Sequence, residues 1–339
     1  MKINSKLYML VGISGSGKST IAKDLSKTLS AEIFSSDAIR FESYGDESIQ
    51  NNPNKVFNLL HRRIKEKLKQ GGTAIYDATN LSMKRRVAFL KEINNISCEK
   101  ICIVVNTPFD ECITRNNLRN RVVPYEVLER QRRNFQCPYF YEGWDKILIS
   151  NCDAGNLSIL EHTLEYLRSV PHDNPHHSLT IGAHMDKAGK YCVEKAAKMT
   201  VLASNKNLQE EEKDFYLKEA QQWNEVAFAA KYHDIGKSST KSFINRKGEI
   251  TKEAHYYNHH TVSAYTILSN LSYNSKLYGD AELDEEENIL FWLKTAVLAQ
   301  WHMEYYFRKD KAWNKFRDLI GEEMVELLDK LHEADKAAH

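Results

Sequence analysis

The residues with the clearest chemical potential form one stretch, residues 12–19, directly after the apolar run 7–11. Gly12 and Gly17 bracket four residues and are followed by Lys18 and Ser19, the spacing of a phosphate-binding loop that opens a helix. The alternative is a glycine turn that binds nothing, but the strand before the loop and the helical spacing after it favour a nucleotide site. We therefore expect ATP and Mg²⁺ here, with Ser19 as an Mg²⁺ ligand. The predicted nucleotide-binding residues are Gly12, Ser14, Gly15, Ser16, Gly17, Lys18, Ser19 and Thr20.

Polar residues follow three other predicted strands, at Asp37, Asp77 and Asn106. The carboxyl ends of parallel strands meet at one edge of a sheet, where ligands bind. A carboxylate near the phosphate loop, such as Asp37, can act as the base for a phosphoryl-acceptor hydroxyl. Arg40 would share a helix face with Asp37 and could hold an anionic acceptor group. An Asp37 that only caps a helix, beside an exposed arginine, is equally consistent with the spacing.

Six arginines lie between positions 115 and 133. Arg115 and Arg119 are four residues apart and are predicted to share one helical face. Kinases of this architecture close a lid over the triphosphate, and lid arginines stabilise the charge that develops during transfer. A solvated basic helix face is the alternative.

The second half carries a different chemistry, because 11 of the 13 histidines follow Val170. Imidazole and carboxylate groups suit transition metals, and the absence of thiolates argues against a structural zinc site. His255 and His259 are four residues apart, so a helix would direct both at one metal. A buried, ionised Asp234 would be costly without a metal or another partner. The predicted ligands are His184, His233, Asp234, His255, His259, His302 and Asp335.

The elements that must position these residues differ between the halves. Strand and helix patterns alternate up to about residue 150, and the remainder is predicted to be wholly helical. We therefore predict an α/β P-loop kinase domain with a parallel sheet (1–155), a bridging helix and linker (156–175, with the linker at 171–175) and an all-α domain (176–339). The net charge of +1 means that a nucleic-acid partner would need local basic patches. Without a long apolar run or a signal-peptide pattern, and with six scattered cysteines, we expect a cytoplasmic protein with no membrane partner.

Five motifs of the first half form a recognisable set: Gly12-x4-Gly17-Lys18-Ser19, Asp37-x2-Arg40, Asp77-x-Thr79-Asn80, Arg115-x3-Arg119 and Val123-Pro124. The set resembles the 5′-hydroxyl polynucleotide kinase domain of phage and bacterial nucleic-acid end-repair enzymes. The resemblance implies that Asp37 is the general base, that Arg40 contacts the acceptor 3′-phosphate and that Arg119 contacts the donor phosphates. Lys18 and Arg115 would complete the catalytic set, and Asp77 and Asn80 would bind substrate with Arg40.

The order of histidines and aspartates in the second half resembles that of the HD phosphohydrolase superfamily. The HD domain of bacterial CCA-adding enzymes is especially similar, on the motifs Asn174-Pro175-x-His177 and Leu179-Thr180-Ile181-Gly182-x-His184. The resemblance implies one or two divalent ions (Mn, Ni, Co, Fe or Zn). His184, His233, Asp234 and Asp335 would hold the first ion, and His259 and His302 would help to hold a second. Two such ions about 4 Å apart would activate water and neutralise phosphoryl oxygens. Lys237 would contact a phosphate or be solvated.

This pair of domains resembles that of bacterial enzymes in which an HD phosphohydrolase is fused to a polynucleotide kinase. In those enzymes the HD domain usually comes first, whereas here the order is inverted. We expect RNA or DNA end repair: phosphorylation of 5′-OH ends, and removal or opening of 2′,3′-cyclic, 2′- or 3′-phosphates. A separate nucleic-acid ligase would seal the ends. The alternatives are a small-metabolite kinase fused to a nucleotidase or phosphodiesterase, and an NTP sensor that regulates the hydrolase. The sequence leaves open whether the chain forms a homo-oligomer.

Overall fold

The chain divides into two compact units between Cys152 and Asp153. The computed structural model describes residues 5–150, 157–175, 178–270 and 285–339. The predicted boundary after residue 155 and His177 of the Asn-Pro-x-His motif lie outside these ranges. The domain assignment therefore stays a prediction, and each unit is described separately.

A five-stranded parallel sheet forms the centre of the first unit: β1 (Ser5–Val11), β2 (Glu32–Ser35), β3 (Thr73–Asp77), β4 (Cys98–Val105) and β5 (Lys146–Ser150). The strand order is β2-β3-β1-β4-β5, with all neighbours parallel. β1 and the second half of β4 are almost continuously buried, as expected for central strands covered on both faces. The predicted α/β parallel-sheet fold is confirmed for this unit.

Six helices flank this sheet: α1 (Lys18–Leu29), α2 (Ser36–Tyr44), α3 (Pro53–Lys69), α4 (Met83–Glu92), α5 (Phe109–Asn117) and α6 (Tyr125–Arg133). Helix α3 begins with a proline in its first turn, and the Asn52 side chain accepts a hydrogen bond from the amide of Lys55. Its buried residues Val56, Leu60, Ile64 and Leu68 repeat every four positions, so one face of the helix packs inward.

The helix that carries Arg115 is shorter than predicted. Helix α5 ends at Asn117, because the amide and the carbonyl oxygen of Val123 pair with the side chain of Asn116 and turn the chain back. Arg119 therefore lies beyond the helix, and the prediction that Arg115 and Arg119 share a helical face is wrong.

The second unit is largely helical, as predicted. Its helices are α7 (Leu157–Leu167), α8 (Ile181–Ala203), α9 (Glu210–Tyr232), α10 (Lys237–Thr240), α11 (His259–Ser269), α12 (Glu285–Trp301), α13 (Glu304–Phe307), α14 (Asp310–Ile320) and α15 (Glu322–Ala337). Helix α9 packs against α8, α12 and α15, so these four long helices share one apolar core. In the described ranges, no helix has the length and apolarity needed to cross a membrane.

The prediction that this part of the chain is wholly helical is wrong in detail. A β-hairpin of β6 (Lys241–Ile244) and β7 (Ile250–Tyr256) interrupts the helices, with Gly248 in its turn at a φ of 85°. Helices α14 and α15 are separated at Gly321, which has a φ of 82°. The predicted linker 171–175 is packed into the unit: Pro171 pairs with Thr180, and His172 is buried.

Candidate active sites

The phosphate-binding loop joins β1 to α1 in the predicted strand–loop–helix order. Gly15 and Gly17 have φ values of 82° and 97°, which favour glycine. A Cβ on Gly15 would also lie 2.3 Å from the carbonyl oxygen of Cys112, so no side chain fits there. The loop is braced from outside, since Thr107 donates to the Ser16 carbonyl at 2.7 Å. The loop leads into the N-terminus of α1, a position that favours an anion.

Lys18 and Ser19 lie in the first turn of α1, directly after the phosphate-binding loop. The Lys18 ammonium group is buried and donates to the Ile13 carbonyl at 2.6 Å. Burial lowers the pKa of Lys18 to about 8, and the carboxylate of Asp77 offsets only part of that effect. The Ser19 hydroxyl donates to Asp77 at 2.8 Å, and burial raises the pKa of this aspartate. Serine and aspartate oxygens side by side fit Mg²⁺, so Asp77, which also lines the cavity, would hold the ion together with Ser19.

Asp37 and Arg40 form an ion pair in the first two turns of α2. The Arg40 guanidinium lies 2.8 Å from the Asp37 carboxylate, which is 46% exposed, whereas the arginine side chain is 9% exposed. Ser35, and not Asp37, is the helix N-cap: its hydroxyl accepts hydrogen bonds from the amides of Asp37 and Ala38. The alternative of a capping aspartate with an exposed arginine is therefore wrong.

One cavity of about 1180 Å³ connects these groups. The phosphate loop, Asp77 and the Asp37–Arg40 pair line it together with Arg115 and Arg119. Although Arg119 lies beyond α5, the chain returns it to the same cavity. Arg115 is held by Glu111 one turn earlier and approaches the Ser16 carbonyl at 3.4 Å. Asn80, predicted to bind substrate, instead donates to the Leu10 carbonyl at 2.9 Å and supports the end of β1.

Further residues at this cavity were missed from the sequence. The Gln131 side chain accepts a 2.7 Å hydrogen bond from the amide of Ser14 in the phosphate loop. Arg121, Arg130 and Phe57 also line the cavity. The density of arginines in this region could have identified Arg121 and Arg130. No local pattern marks Gln131 or Phe57, which lie far from the phosphate-binding loop in sequence.

In the second unit, six of the predicted ligands converge. Their ligand atoms form two groups, each within 4.8 Å, that share Asp234: one with His184 and His233, the other with His259 and His302. Oδ1 of Asp335 lies 2.9 Å from Nε2 of His184, so Asp335 belongs to the same cluster. Within the described residues, Nε2 of His233 and Oδ1 of Asp234 are buried without a hydrogen bond. Because a divalent cation would satisfy both atoms, the residues present fit a metal site.

Three of the imidazoles are oriented in the same way. Nδ1 of His233, His259 and His302 lies 2.7–2.8 Å from a backbone carbonyl three residues earlier. A carbonyl only accepts, so Nδ1 carries the proton, and in each neutral ring Nε2 presents a lone pair. Nε2 of His259 and Nε2 of His302 lie 3.2 Å apart, and burial lowers the pKa of His302 to about 4. Such backbone anchoring of the second ring nitrogen is typical of metal-binding histidines.

Asp234 lies just after the end of α9, whose last residue is Tyr232. Burial would raise the pKa of Asp234, but the ammonium group of Lys237 at 2.6 Å holds it well below its usual value. Lys237 is itself buried, so the alternative of a solvated lysine is wrong. Gly236 allows this turn to approach α11, because a Cβ there would lie 2.3 Å from the His259 carbonyl oxygen.

His255 is the predicted ligand that the structure moves away from the cluster. It lies in β7, not one turn before His259 on a helix; its Nε2 lies 3.0 Å from the Thr251 hydroxyl, and its ring stacks on Tyr257. Because His255 lies in a hairpin strand, its four-residue spacing from His259 does not bring the two side chains together. A histidine that was not predicted, His339, lies within ligand distance of His184 and Asp335. The four-residue spacing from Asp335 could have revealed it.

The sheet order, loop and cavity define the first unit as a P-loop kinase fold, which implies the use of ATP and Mg²⁺. Residues 7–138 match the sequence profile of a family described as AAA domain.

A curated relative, the L-seryl-tRNA(Sec) kinase of Methanococcus maripaludis, is 27% identical over 150 residues, which cover 41% of this chain and 56% of the relative. The chain thus spans about half the length of the curated relative it matches. Among solved structures, the Pnkp1/Rnl/Hen1 RNA repair complex is similar at 22% identity, covering 38% of this chain and 43% of that one with a TM-score of 0.34. A fungal RNA kinase is similar at 11% identity, covering 64% and 50% with a TM-score of 0.35.

Proposed function

We propose that the first unit transfers the γ-phosphate of ATP to the 5′-hydroxyl of a nucleic-acid end, and that the second hydrolyses terminal phosphates. The observation that carries the kinase proposal is the Asp37–Arg40 pair, which faces the same cavity as the phosphate loop. A carboxylate that accepts a proton, next to a cation that binds an anion, suits a hydroxyl beside a phosphodiester. A nucleotide sensor would need neither group.

In this proposal each residue has a defined task. Asp37 accepts the proton of the acceptor hydroxyl, while Arg40 orients the carboxylate and binds the neighbouring phosphate. Lys18 and the loop amides hold the donor phosphates, and Arg115 and Arg119 bind the charge that develops on the transferred group. Mg²⁺, held near Ser19 and Asp77, would supply charge neutralisation between the phosphates.

The second proposal rests on the buried His and Asp cluster. One or two divalent ions held there would supply an activated water and a clamp for phosphoryl oxygens. Asp234 contributes to both ligand groups, and the anchored imidazoles fix the direction of their lone pairs. Lys237 keeps Asp234 ionised and fixes the position of its carboxylate. In this proposal its main role is therefore to position Asp234, and not to bind substrate. Together, the two activities would convert a 5′-OH and a cyclic phosphate into ends that a separate ligase can join.

The kinase proposal is tested with γ-labelled ATP, Mg²⁺ and 5′-OH RNA or DNA oligonucleotides. Wild type should transfer label, and Asp37→Ala should lower kcat by about 10²–10⁴-fold, the range for loss of a general base. Asp24→Ala, on the exposed side of α1, is the matched control and should leave transfer unchanged. Absence of transfer by wild type to either nucleic acid would exclude the proposal.

A second acceptor has a specific observation in its favour, namely the match to L-seryl-tRNA(Sec) kinase. Seryl-tRNA therefore belongs in the same assay, since its side-chain hydroxyl could occupy the position of the 5′-OH. Free nucleosides and sugars test the metabolite-kinase alternative. A sensor would show no transfer to any of them, while ATP would change the rate of the second unit.

The hydrolase proposal is tested on oligonucleotides that end in a 2′,3′-cyclic or 2′-phosphate. His233→Ala and Asp234→Ala should abolish phosphate release or ring opening, while 5′ phosphorylation by the same preparations persists. His162→Ala, an exposed histidine on α7, is the matched control. Normal hydrolysis by the two cluster variants would show that the cluster is not the catalytic centre.

A further inference from the structure

Helix α3 contributes an aromatic side chain to the wall of the first unit's cavity. Phe57 is partly buried and is the single aromatic residue among those that line the cavity in the described part of the chain. The other lining groups are charged, polar or aliphatic. Helix α3 packs against α2, which carries Asp37 and Arg40, so Phe57 reaches the cavity from the helix next to that pair.

The Phe57 ring rests on a rigid support. It packs edge-on against His61 at 6.3 Å between ring centroids. Both nitrogens of His61 are engaged, Nδ1 by Glu92 at 3.3 Å and Nε2 by the Tyr76 hydroxyl at 3.1 Å, and Phe89 lies 4.3 Å from its ring. His61 cannot rotate without losing these partners. We call Phe57 and the ring beneath it the Phe57 platform.

A supported aromatic ring and an arginine that line the same cavity match the two parts of a nucleotide, a planar base and an anion. We propose that the Phe57 platform is a subsite for the nucleobase of the acceptor's terminal nucleoside. The inference rests on the proposed kinase function and narrows it: the acceptor carries a base, and the sugar or free amino-acid hydroxyl acceptors of other kinases lack one. Stacking on an aromatic side chain is tolerant of sequence, so all four bases should be accepted.

The experiment compares two 5′-OH oligonucleotides of identical sequence, one with a normal 5′ nucleoside and one with an abasic tetrahydrofuran unit at that position. Phe57→Leu should lower kcat/KM on the normal oligonucleotide by about 5- to 150-fold, mainly through KM, which is the range for loss of one stacked base. On the abasic oligonucleotide the same variant should equal wild type, which also shows that it is folded. Phe57→Tyr should restore the preference for the normal end.

Phe41→Leu is the matched control, because this phenylalanine is 63% exposed on α2 and does not line the cavity. The inference is overturned if wild type uses both oligonucleotides equally, or if Phe57→Leu weakens transfer to both by the same factor; in either case the kinase function stands. No transfer by wild type to any oligonucleotide overturns the kinase function and the subsite together.

Discussion

Replacing Arg86 by methionine should destabilise the first unit more than any ordinary surface change, because Arg86 is part of a fully buried ion pair. Its guanidinium binds both oxygens of Glu142, at 2.8 and 2.5 Å, and the two side chains are 1% and 0% exposed. Nη1 also donates to the carbonyls of Asn80 and Leu81 at 2.9 and 3.0 Å. The Trp144 indole is the second donor to Glu142.

The magnitude follows from what the substitution leaves behind. Arg86→Met would leave the Glu142 carboxylate buried with the Trp144 indole as its one remaining hydrogen-bond donor among the described residues, and two carbonyls would lose a donor. Breaking one side of a buried pair costs about 3–5 kcal/mol, a large share of the roughly 5–15 kcal/mol of a typical domain. Adding Glu142→Leu removes the buried, unpaired charge. The double variant should therefore be more stable, by about 1–3 kcal/mol in free energy of unfolding, than the sum of the two single losses predicts.

Hydrogen exchange read by mass spectrometry can measure this free energy in the intact chain. Peptides from β1 and β4 report opening of the first unit, and peptides from α9 report the second unit. Arg62→Met removes the same side chain from an exposed pair, 68% and 61% accessible, and should cost at most about 1 kcal/mol. A loss below about 1 kcal/mol for Arg86→Met, or strict additivity in the double variant, would refute the reasoning.

Three further predictions concern the sites themselves. Since the pKa of Lys18 is about 8 in the free protein and bound triphosphate should raise it, ATP binding at pH 8 should take up about half a proton. Calorimetry in two buffers should show this uptake, which must vanish near pH 6. Divalent metal at 100 times its Kd should raise the melting temperature of the second unit by about 5–10 °C, and EDTA or His302→Ala should abolish the rise. Gly236→Ala should weaken metal binding at least tenfold by forcing α11 away, whereas Gly248→Ala in the open hairpin turn should not; equal affinities would exclude this account.

The sequence was sufficient where the signal is local. Apolar runs, glycine spacing and polar strand ends predicted the sheet, the phosphate loop and the positions of Asp37 and Asp77. Six of the seven ligands that it predicted for the second unit converge in one cluster, because imidazole and carboxylate groups limit the chemistry that such residues can perform.

Predictions failed where distant residues decide the outcome. Arg119 lies outside its predicted helix because the backbone of Val123 hydrogen-bonds to Asn116, and His255 lies outside the His and Asp cluster because it pairs within a hairpin. The Gln131 contact to the phosphate loop and the Arg86–Glu142 pair join residues more than 50 positions apart. Periodicity reports which face of an element is apolar, and it carries no information about such partners.

The shared anchoring of three imidazoles has a consequence for the metal-free protein. Each ring of His233, His259 and His302 is held by its own backbone, so the lone pairs keep converging on Asp234 when no cation lies between them. A ring could turn away from the carboxylate only by giving up its backbone hydrogen bond, while Lys237 keeps Asp234 ionised. Binding of a metal ion would therefore require little rearrangement of these side chains.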